Sequence, residues 1–144
     1  MHSEHLTNVR PGTVGLAWLI GAAATALAVF ALIAVGLLHA DGTGGTAWGL
    51  LAIAAGFLAG GWFAGWRVGA APILHAIAMG LFTLLVAVVL NVVADAALGA
   101  ASWEIDAGYV AGLVLLQIVA AAIGGRWGSR DARRASAAGA SASS

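Results

Sequence analysis

One stretch of this chain decides its fold: residues 47–66 read AWGLLAIAAGFLAGGWFAGW. The stretch carries no charged residue, and its apolar side chains do not alternate with polar ones. A helix needs about 20 apolar residues to cross the ~30 Å hydrocarbon core of a bilayer. The strand of a membrane barrel would be shorter and would alternate in polarity. The stretch therefore predicts a transmembrane helix.

Comparable apolar stretches occur four times in the chain, at Val14–Leu38, Ala47–Trp66, Ile73–Ala94 and Ala107–Trp127. None of them has an acid or a base in its central half. The 144 residues are 62% hydrophobic and only 8% charged, which lies outside the range of soluble domains. We predict an all-α polytopic integral membrane protein, a bundle of four transmembrane helices arranged as two antiparallel hairpins.

The remaining residues are too few for a second domain. Residues 1–13 are expected to form a polar cytoplasmic N-terminus that ends in a turn at Pro11-Gly12, and residues 14–127 the transmembrane domain. Pro72 suits the first turn of the third helix. Residues 128–144 are basic and then rich in alanine and serine, which predicts a disordered cytoplasmic tail.

Charge is distributed unequally between the two ends of the predicted helices. All six basic residues lie at one side: Arg10, Arg67, Arg126, Arg130, Arg133 and Arg134. Most acids lie at the other side: Asp41, Asp95, Glu104 and Asp106. Because short arginine-rich segments stay in the cytoplasm, the pattern predicts an integral location in the cell (inner) membrane with both termini cytoplasmic. The topology anchors would be Arg10, Arg67, Arg126 and Arg130.

The six tryptophans agree with these boundaries. Indole rings prefer the headgroup level of a bilayer. The inner ends of the spans hold Trp18, Trp62, Trp66 and Trp127, and the outer ends hold Trp48 and Trp103. We therefore expect all six at the membrane interfaces.

Glycines recur every four residues in the second and fourth spans, and small residues one turn apart let another helix backbone approach closely. The predicted helix-packing residues are Gly49, Gly56, Gly60, Gly61, Gly65, Gly112, Gly124 and Gly128. Such grooves can be filled inside one protomer, or they can receive another subunit, a lipid or a pigment tail. The spacing does not separate these alternatives.

The second and fourth spans also share a spacing pattern. Gly49, Gly61, Gly65 and Arg67 match Gly112, Gly124, Gly128 and Arg130 at a constant offset of 63 positions. One interpretation is a parallel repeat of two hairpins about an axis along the membrane normal. The other is coincidence in a chain with 21 glycines.

A short hairpin carries a family resemblance. Residues 60–65, Gly-Gly-Trp-Phe-Ala-Gly, followed by Leu74-His75, resemble the Gly-Gly-x-x-Ala-Gly…Leu-His-Gly hairpin of small uncharacterised four-span bacterial membrane proteins. Ala76 stands where that pattern usually has glycine. The resemblance implies four spans and carries no activity, cofactor or partner with it.

Four polar residues inside the predicted spans are candidates for an intramembrane role: Thr25, Thr83, Asn91 and Gln117. The Gln117 amide must find hydrogen-bond partners in hydrocarbon, so it is interpreted as glue between helices or as the lining of a polar path. His75 is expected at the interface, a bilayer thickness from His39, so the two cannot hold one haem. We predict no catalytic residue, metal or cofactor, and the lack of a basic stripe argues against nucleic acid as a partner.

Three functions are compatible with these residues. The first is a non-catalytic accessory or structural subunit that packs through glycine-rich helix faces in a homo- or hetero-oligomeric complex; its partners would be the lipid bilayer and itself or other membrane proteins. The second is a small oligomeric transporter or channel lined by Gln117, Thr83 and Asn91. The third is a membrane enzyme or cofactor carrier acting at the outer acidic loop. Intramembrane charges mark proton and ion pathways, and their absence from the central halves of the spans favours the first function.

Overall fold

The computed structural model describes residues 10–39, 45–69, 71–98 and 107–142. Within these ranges the chain forms four α-helices: α1 (Pro11–Ala34), α2 (Thr46–Val68), α3 (Pro72–Leu98) and α4 (Ala107–Ala142). Each helix is long and apolar enough to cross a membrane, which confirms the prediction of an all-α bundle with four candidate spans. The predictions for Asp41, Trp103, Glu104 and Asp106 lie outside the described residues.

Two of the helices begin at a proline. Pro72 begins α3, as predicted. Pro11 begins α1, so the expectation of a turn at Pro11-Gly12 is wrong. Proline suits a helix start because its fixed φ is helical and the N–H that it lacks would have no intrahelical partner there.

Glycines in the left-handed region end α1 and α2. Gly36 has a φ of 74°, and the N–H of Leu37 turns back to the carbonyl of Leu32 at 2.9 Å. Because of this reversal α1 ends at Ala34 and does not reach Leu38. Gly69 has a φ of 67°, and its N–H bonds to the carbonyl of Gly65 at 2.8 Å. Only glycine adopts this backbone conformation without a steric penalty.

The last helix extends well beyond its predicted span. α4 has 36 residues, or about 54 Å of helix, against a hydrocarbon core of ~30 Å. It includes residues 128–142, for which the composition predicts a disordered tail. Alanine has the highest helix propensity, and continuing an existing helix avoids the cost of nucleation. Up to Ala142 the predicted tail is therefore a helical extension of α4. α3 likewise continues past Ala94 to Leu98.

The most extensive helix contact joins α2 and α4, which form the centre of the bundle. On either side of this pair, α1 packs mainly against α2, and α3 packs mainly against α4. α1 and α3 touch each other only lightly. α2 and α4 thus form the central pair of the bundle. α1 and α3 lie on either side of this pair and leave a gap between them.

Small side chains dominate the buried core: Val14, Ala17, Phe57, Ala64, Ala76, Met79, Ala120 and Ala121. Large apolar side chains point outward, and Leu27 and Phe30 of α1 are 70% and 69% exposed. This distribution suits a solvent of lipid tails, in which helices associate by close packing of small residues. The exposed apolar surface is far more continuous than the isolated patches of soluble monomers.

Candidate functional site

The backbones of α2 and α4 touch at glycines. A Cβ atom added at Gly61 would overlap the carbonyl oxygen of Ala121, and one added at Gly65 would overlap that of Gly125. No side chain fits at either position unless the helices separate. In lipid, where the hydrophobic effect does not drive helices together, such van der Waals packing is a main source of association.

The same contacts occur in the reverse direction. A Cβ atom added at Gly124 would overlap the carbonyl oxygen of Leu58, and one added at Gly128 would overlap that of Trp62. The contact of Gly124 with Leu58 corresponds, at an offset of 63 positions, to that of Gly61 with Ala121. The contact of Gly128 with Trp62 corresponds in the same way to that of Gly65 with Gly125. The offset noted in the sequence is therefore also the relation between the two sides of the α2–α4 interface.

A second face of α2 packs against α1 through two further glycines. A Cβ atom at Gly56 would collide with Thr25 and Gly21, and one at Gly60 would collide with the carbonyl oxygen of Ala17. These two glycines and the two facing α4 make α2 the helix with close neighbours on two sides.

Two of the eight predicted packing glycines are not brought to another helix. A Cβ atom added at Gly49 or Gly112 would meet nothing within 4 Å among the described residues. The two positions are themselves related by the offset of 63. They leave a matched pair of small residues at the surface of α2 and α4, near the beginning of each helix.

A cavity of about 300 Å³ lies in the gap between α1 and α3, and we name it the Gln117 cavity. It brings together three of the four predicted intramembrane polar residues. Its lining residues are Trp18, Ala22, Thr25, Ala26, Ile53, Phe57, Thr83 and Gln117. The fourth residue, Asn91, is half-buried two turns further along α3 and does not line the cavity.

Hydrogen bonds already occupy both threonines of the Gln117 cavity. The indole N–H of Trp18 donates to Oγ1 of Thr83 at 2.9 Å, and that hydroxyl donates to the carbonyl of Met79 at 3.2 Å. The hydroxyl of Thr25 donates to the carbonyl of Gly21, one turn earlier, at 2.8 Å. This use of a threonine hydroxyl is common in helices.

Trp18 packs between two helices. Its indole bonds to Thr83 and packs edge-on against Phe82, with ring centroids 5.2 Å apart. The ring lies between α1 and α3, and its place at the membrane interface stays a prediction. A buried indole N–H needs an acceptor, and the sequence does not show which threonine another helix will place beside it.

The side-chain oxygen of Gln117 is buried and has no hydrogen-bond donor among the described residues. Its side chain is only 8% exposed, and its Oε1 atom accepts no hydrogen bond from any described residue. Leaving a buried acceptor unpaired costs about 1–3 kcal/mol. The expectation that this amide finds its partners within the protein is therefore not met for its oxygen, because both nearby hydroxyl groups use their protons elsewhere.

His75 joins the beginnings of α1 and α3 and is buried, with 2% of its surface exposed. Its Nδ1 lies 2.9 Å from the carbonyl oxygen of Ala71. The backbone N–H of Arg10 donates to its Nε2 at 3.5 Å. Nδ1 is therefore the protonated nitrogen. The expected place of His75 at the membrane interface stays a prediction, and the structure adds that the side chain is buried. The contact with Arg10 joins residues 65 positions apart, and no local pattern in the sequence indicates it.

The arginines gather at one end of the bundle, which we name the arginine end. Arg10 and Arg67 line an open cavity of about 420 Å³ beside the start of α1. Arg130 lines a second one of about 320 Å³ with Trp62 and Trp127. Arg126 is exposed on the same turn of α4 as Trp127. The four predicted topology anchors thus share one end.

A hydrogen bond at the arginine end ties the extension of α4 to α2. The indole N–H of Trp62 donates to Oδ2 of Asp131 at 3.0 Å. The same indole stacks on Trp66, with ring centroids 6.0 Å apart and planes inclined by 3°. Asp131 also lies 3.9 Å from Arg134. The extension therefore starts from a fixed position on the bundle.

The described residues contain no group of three or more histidine, cysteine or acidic side chains that could hold a metal ion. Comparison of the chain with family models, with curated proteins and with solved structures gives no match. Three features of the described residues bear on function: the glycine interface between α2 and α4, the Gln117 cavity and the arginine end.

Proposed function

We propose that this protein is a non-catalytic integral membrane protein, an accessory or structural subunit of a homo- or hetero-oligomeric membrane complex. It spans the cell (inner) membrane as two antiparallel hairpins with both termini in the cytoplasm. Its partners are the lipid bilayer and a second copy or another membrane protein.

The order of contacts supports the hairpin arrangement. Along α1 and α2, Gly56 meets Gly21 whereas Gly60 meets Ala17, so residue numbers rise in one helix as they fall in the other. Along α2 and α4 the numbers rise together on both sides. The gathering of arginines at one end supports the orientation, because arginine-rich short segments remain cytoplasmic.

The observation that carries the proposal is the contrast between closed and open glycines. Four glycines contact the backbone of the facing helix within the protomer: Gly61, Gly65, Gly124 and Gly128. An added Cβ atom at Gly49 or Gly112 would meet none of the described residues within 4 Å, although both glycines lie on the same two helices. Surface glycines allow a helix from another chain to approach closely, so we assign the partner contact to the faces around Gly49 and Gly112.

Native mass spectrometry of a gently solubilised sample tests this assignment. We expect the chain to be recovered in a stoichiometric complex, and Gly49→Leu with Gly112→Leu to release it. Gly139→Leu is the matched control, since Gly139 is also open but lies on the extension of α4. A wild-type chain recovered only as a monomer would contradict the proposal.

The alternative is a small oligomeric transporter or channel. It is favoured by the meeting of Thr83 and Gln117 in one cavity, although Asn91 is not part of that cavity. A purified homo-oligomer that conducts solutes or ions across liposomes, and loses that flux on Gln117→Leu, would replace the accessory subunit by this alternative.

A further inference from the structure

Two arginines line one cavity at the arginine end, which we name the Arg10–Arg67 cavity. Its volume is about 420 Å³, and its lining residues are Arg10, Pro11, Gly12, Thr13, Leu16, Phe63 and Arg67. Both arginines are exposed. Neither of the two acids in the described part of the chain, Asp95 and Asp131, belongs to the lining. The described lining therefore carries two positive charges and no negative one.

The backbone of each arginine has a fixed position. The carbonyl of Arg10 accepts the N–H groups of Thr13 and Val14 at 2.9 and 3.0 Å, at the start of α1. The N–H of Arg10 donates to Nε2 of His75 at 3.5 Å. Arg67 lies in the last turn of α2. Two helix ends thus present two guanidinium groups to one cavity, and the planar fork of a guanidinium matches the oxygens of a phosphate.

The lining becomes apolar away from the arginines. Leu16 lies six residues after Arg10, or about 9 Å further along α1. Phe63 lies four residues before Arg67, or about 6 Å further inside α2. Half of the Leu16 surface is exposed. The cavity is therefore cationic at the end of the bundle and apolar toward its middle, which is the order of the headgroup and the acyl chains in a phospholipid.

The second cavity at the arginine end differs in charge. Asp131 lines it together with Arg130 and Arg134, and this carboxylate lies 3.9 Å from Arg134. A carboxylate offsets part of the positive charge and repels an anion. The Arg10–Arg67 cavity is therefore the better anion site of the two.

We propose that the Arg10–Arg67 cavity binds an anionic phospholipid. The phosphate accepts hydrogen bonds from the guanidinium groups of Arg10 and Arg67, and an acyl chain lies against Leu16 and Phe63. Basic pockets between transmembrane helices bind such headgroups. A zwitterionic lipid binds less well, because its cationic group faces the same two arginines. This site rests on the membrane location proposed above, and it does not depend on the role as a subunit.

Native mass spectrometry of the full chain measures this binding. The protein in a non-ionic detergent is titrated with phosphatidylglycerol, or with phosphatidylcholine that has the same acyl chains. We expect phosphatidylglycerol to bind about tenfold more tightly, which is the contribution of an arginine near an anionic membrane surface. Glycerol 3-phosphate carries the phosphate without the chains, and it should not displace the bound lipid.

Two pairs of substitutions assign the preference to the cavity. Arg10→Gln with Arg67→Gln should bring the two lipids to nearly equal affinity. Arg126→Gln with Arg133→Gln is the matched control, because it removes the same charge from exposed arginines that line neither cavity. That pair should keep the preference. Arg10→Gln and Arg67→Gln alone should each lose part of it, so the test remains if the double variant does not assemble.

Three results would overturn the proposal. The first is equal affinity of the wild-type chain for the two lipids. The second is an equal loss of preference in both double variants, which would assign it to the overall charge of the arginine end. The third is displacement by glycerol 3-phosphate, which would make the occupant a soluble phosphate. A chain that stays in solution without detergent would instead contradict the membrane location.

Discussion

Gly61 and Gly124 make the same contact from opposite sides of the α2–α4 interface. Gly61 lies against the carbonyl oxygen of Ala121, and Gly124 lies against that of Leu58. The two glycines differ by 63 positions, and so do the two residues that they contact. This local two-fold relation explains why glycine recurs at matched positions. On each helix a Cβ atom at that position would overlap the backbone of the other helix.

The first prediction concerns this interface. Gly61→Ala and Gly124→Ala should each lower the free energy of unfolding by about 2 kcal/mol, because one added methyl group overpacks a backbone contact. The measurement is the temperature at which the detergent-solubilised protein loses its gel-filtration peak. Gly15→Ala and Gly139→Ala are the matched controls and should not lower that temperature, because an added Cβ atom meets nothing within 4 Å among the described residues at either position. Equal losses in all four variants would mean that α2 and α4 do not pack in this way.

The bond between Trp18 and Thr83 predicts an energetic coupling between α1 and α3. In a double-mutant cycle, Trp18→Phe and Thr83→Val should show a coupling energy of about 1 kcal/mol, since interhelical hydrogen bonds in membranes are worth about 0.6–2 kcal/mol. The control cycle pairs Trp18→Phe with Thr25→Val. Thr25 bonds within its own helix, so that pair should show no coupling. The readout is again thermal stability in detergent.

The unpaired oxygen of Gln117 predicts a stabilising substitution. Gln117→Leu should raise the free energy of unfolding by about 1 kcal/mol, because it removes a buried acceptor that lacks a donor among the described residues. Asn91→Leu serves as the comparison, since Asn91 is less buried and outside the cavity. A lower melting temperature for Gln117→Leu would show that the oxygen has a partner within the folded chain.

The hydrogen bond from Trp62 to Asp131 is expected to protect the α4 extension from proteolysis. Trp62→Phe keeps an aromatic ring beside Trp66 but removes the N–H that reaches Asp131. Local opening should then become easier, and trypsin should cleave after Arg130 and Arg133 about threefold faster, as expected for one exposed hydrogen bond. Trp127→Phe is the control, because it leaves the Trp62 bond intact. Mass spectrometry of the fragments over time measures the rate.

The charge pattern predicts the topology. A reporter fused after Ser144 should read cytoplasmic, and one inserted next to Asp41 should read external, because the arginines hold their end of each helix inside the cell. Replacing Arg67 and Arg130 together with glutamine should weaken this preference. An external reading after Ser144 in the wild-type chain would contradict the orientation and leave the helix packing unaffected.

Local signals in the sequence predicted the helices but not all of their ends. Apolar length alone locates four spans, because crossing hydrocarbon requires every backbone polar group to bond within its own helix. The predicted helix ends were wrong where the local backbone preference of a few residues sets the end of the helix. Gly36 adopts a left-handed backbone conformation, and α1 therefore ends before Leu38. The alanine-rich residues after Trp127 continue α4 because alanine has a high helix propensity.

The sequence predicted which residues contribute to the candidate sites but not which of them contact one another. Thr25, Thr83 and Gln117 stand out as polar residues in apolar helices, and glycine spacing marks the close contacts. The sequence does not indicate that Trp18 bonds to Thr83 or that His75 is covered by α1, because both pairings join residues 65 positions apart. Such contacts depend on the rotation of each helix about its axis, which apolar residues on every side leave undetermined.

The sequence by itself determined that the chain forms four helices long and apolar enough to cross a membrane, and the end of the bundle at which its arginines gather. These properties depend on the composition and length of each segment. Only the tertiary structure decided which glycines contact the backbone of another helix, which meet no described residue, and that the Gln117 oxygen is buried without a donor among the described residues. Those outcomes depend on atomic contacts between helices, where a single methyl group or hydrogen bond selects one packing over another.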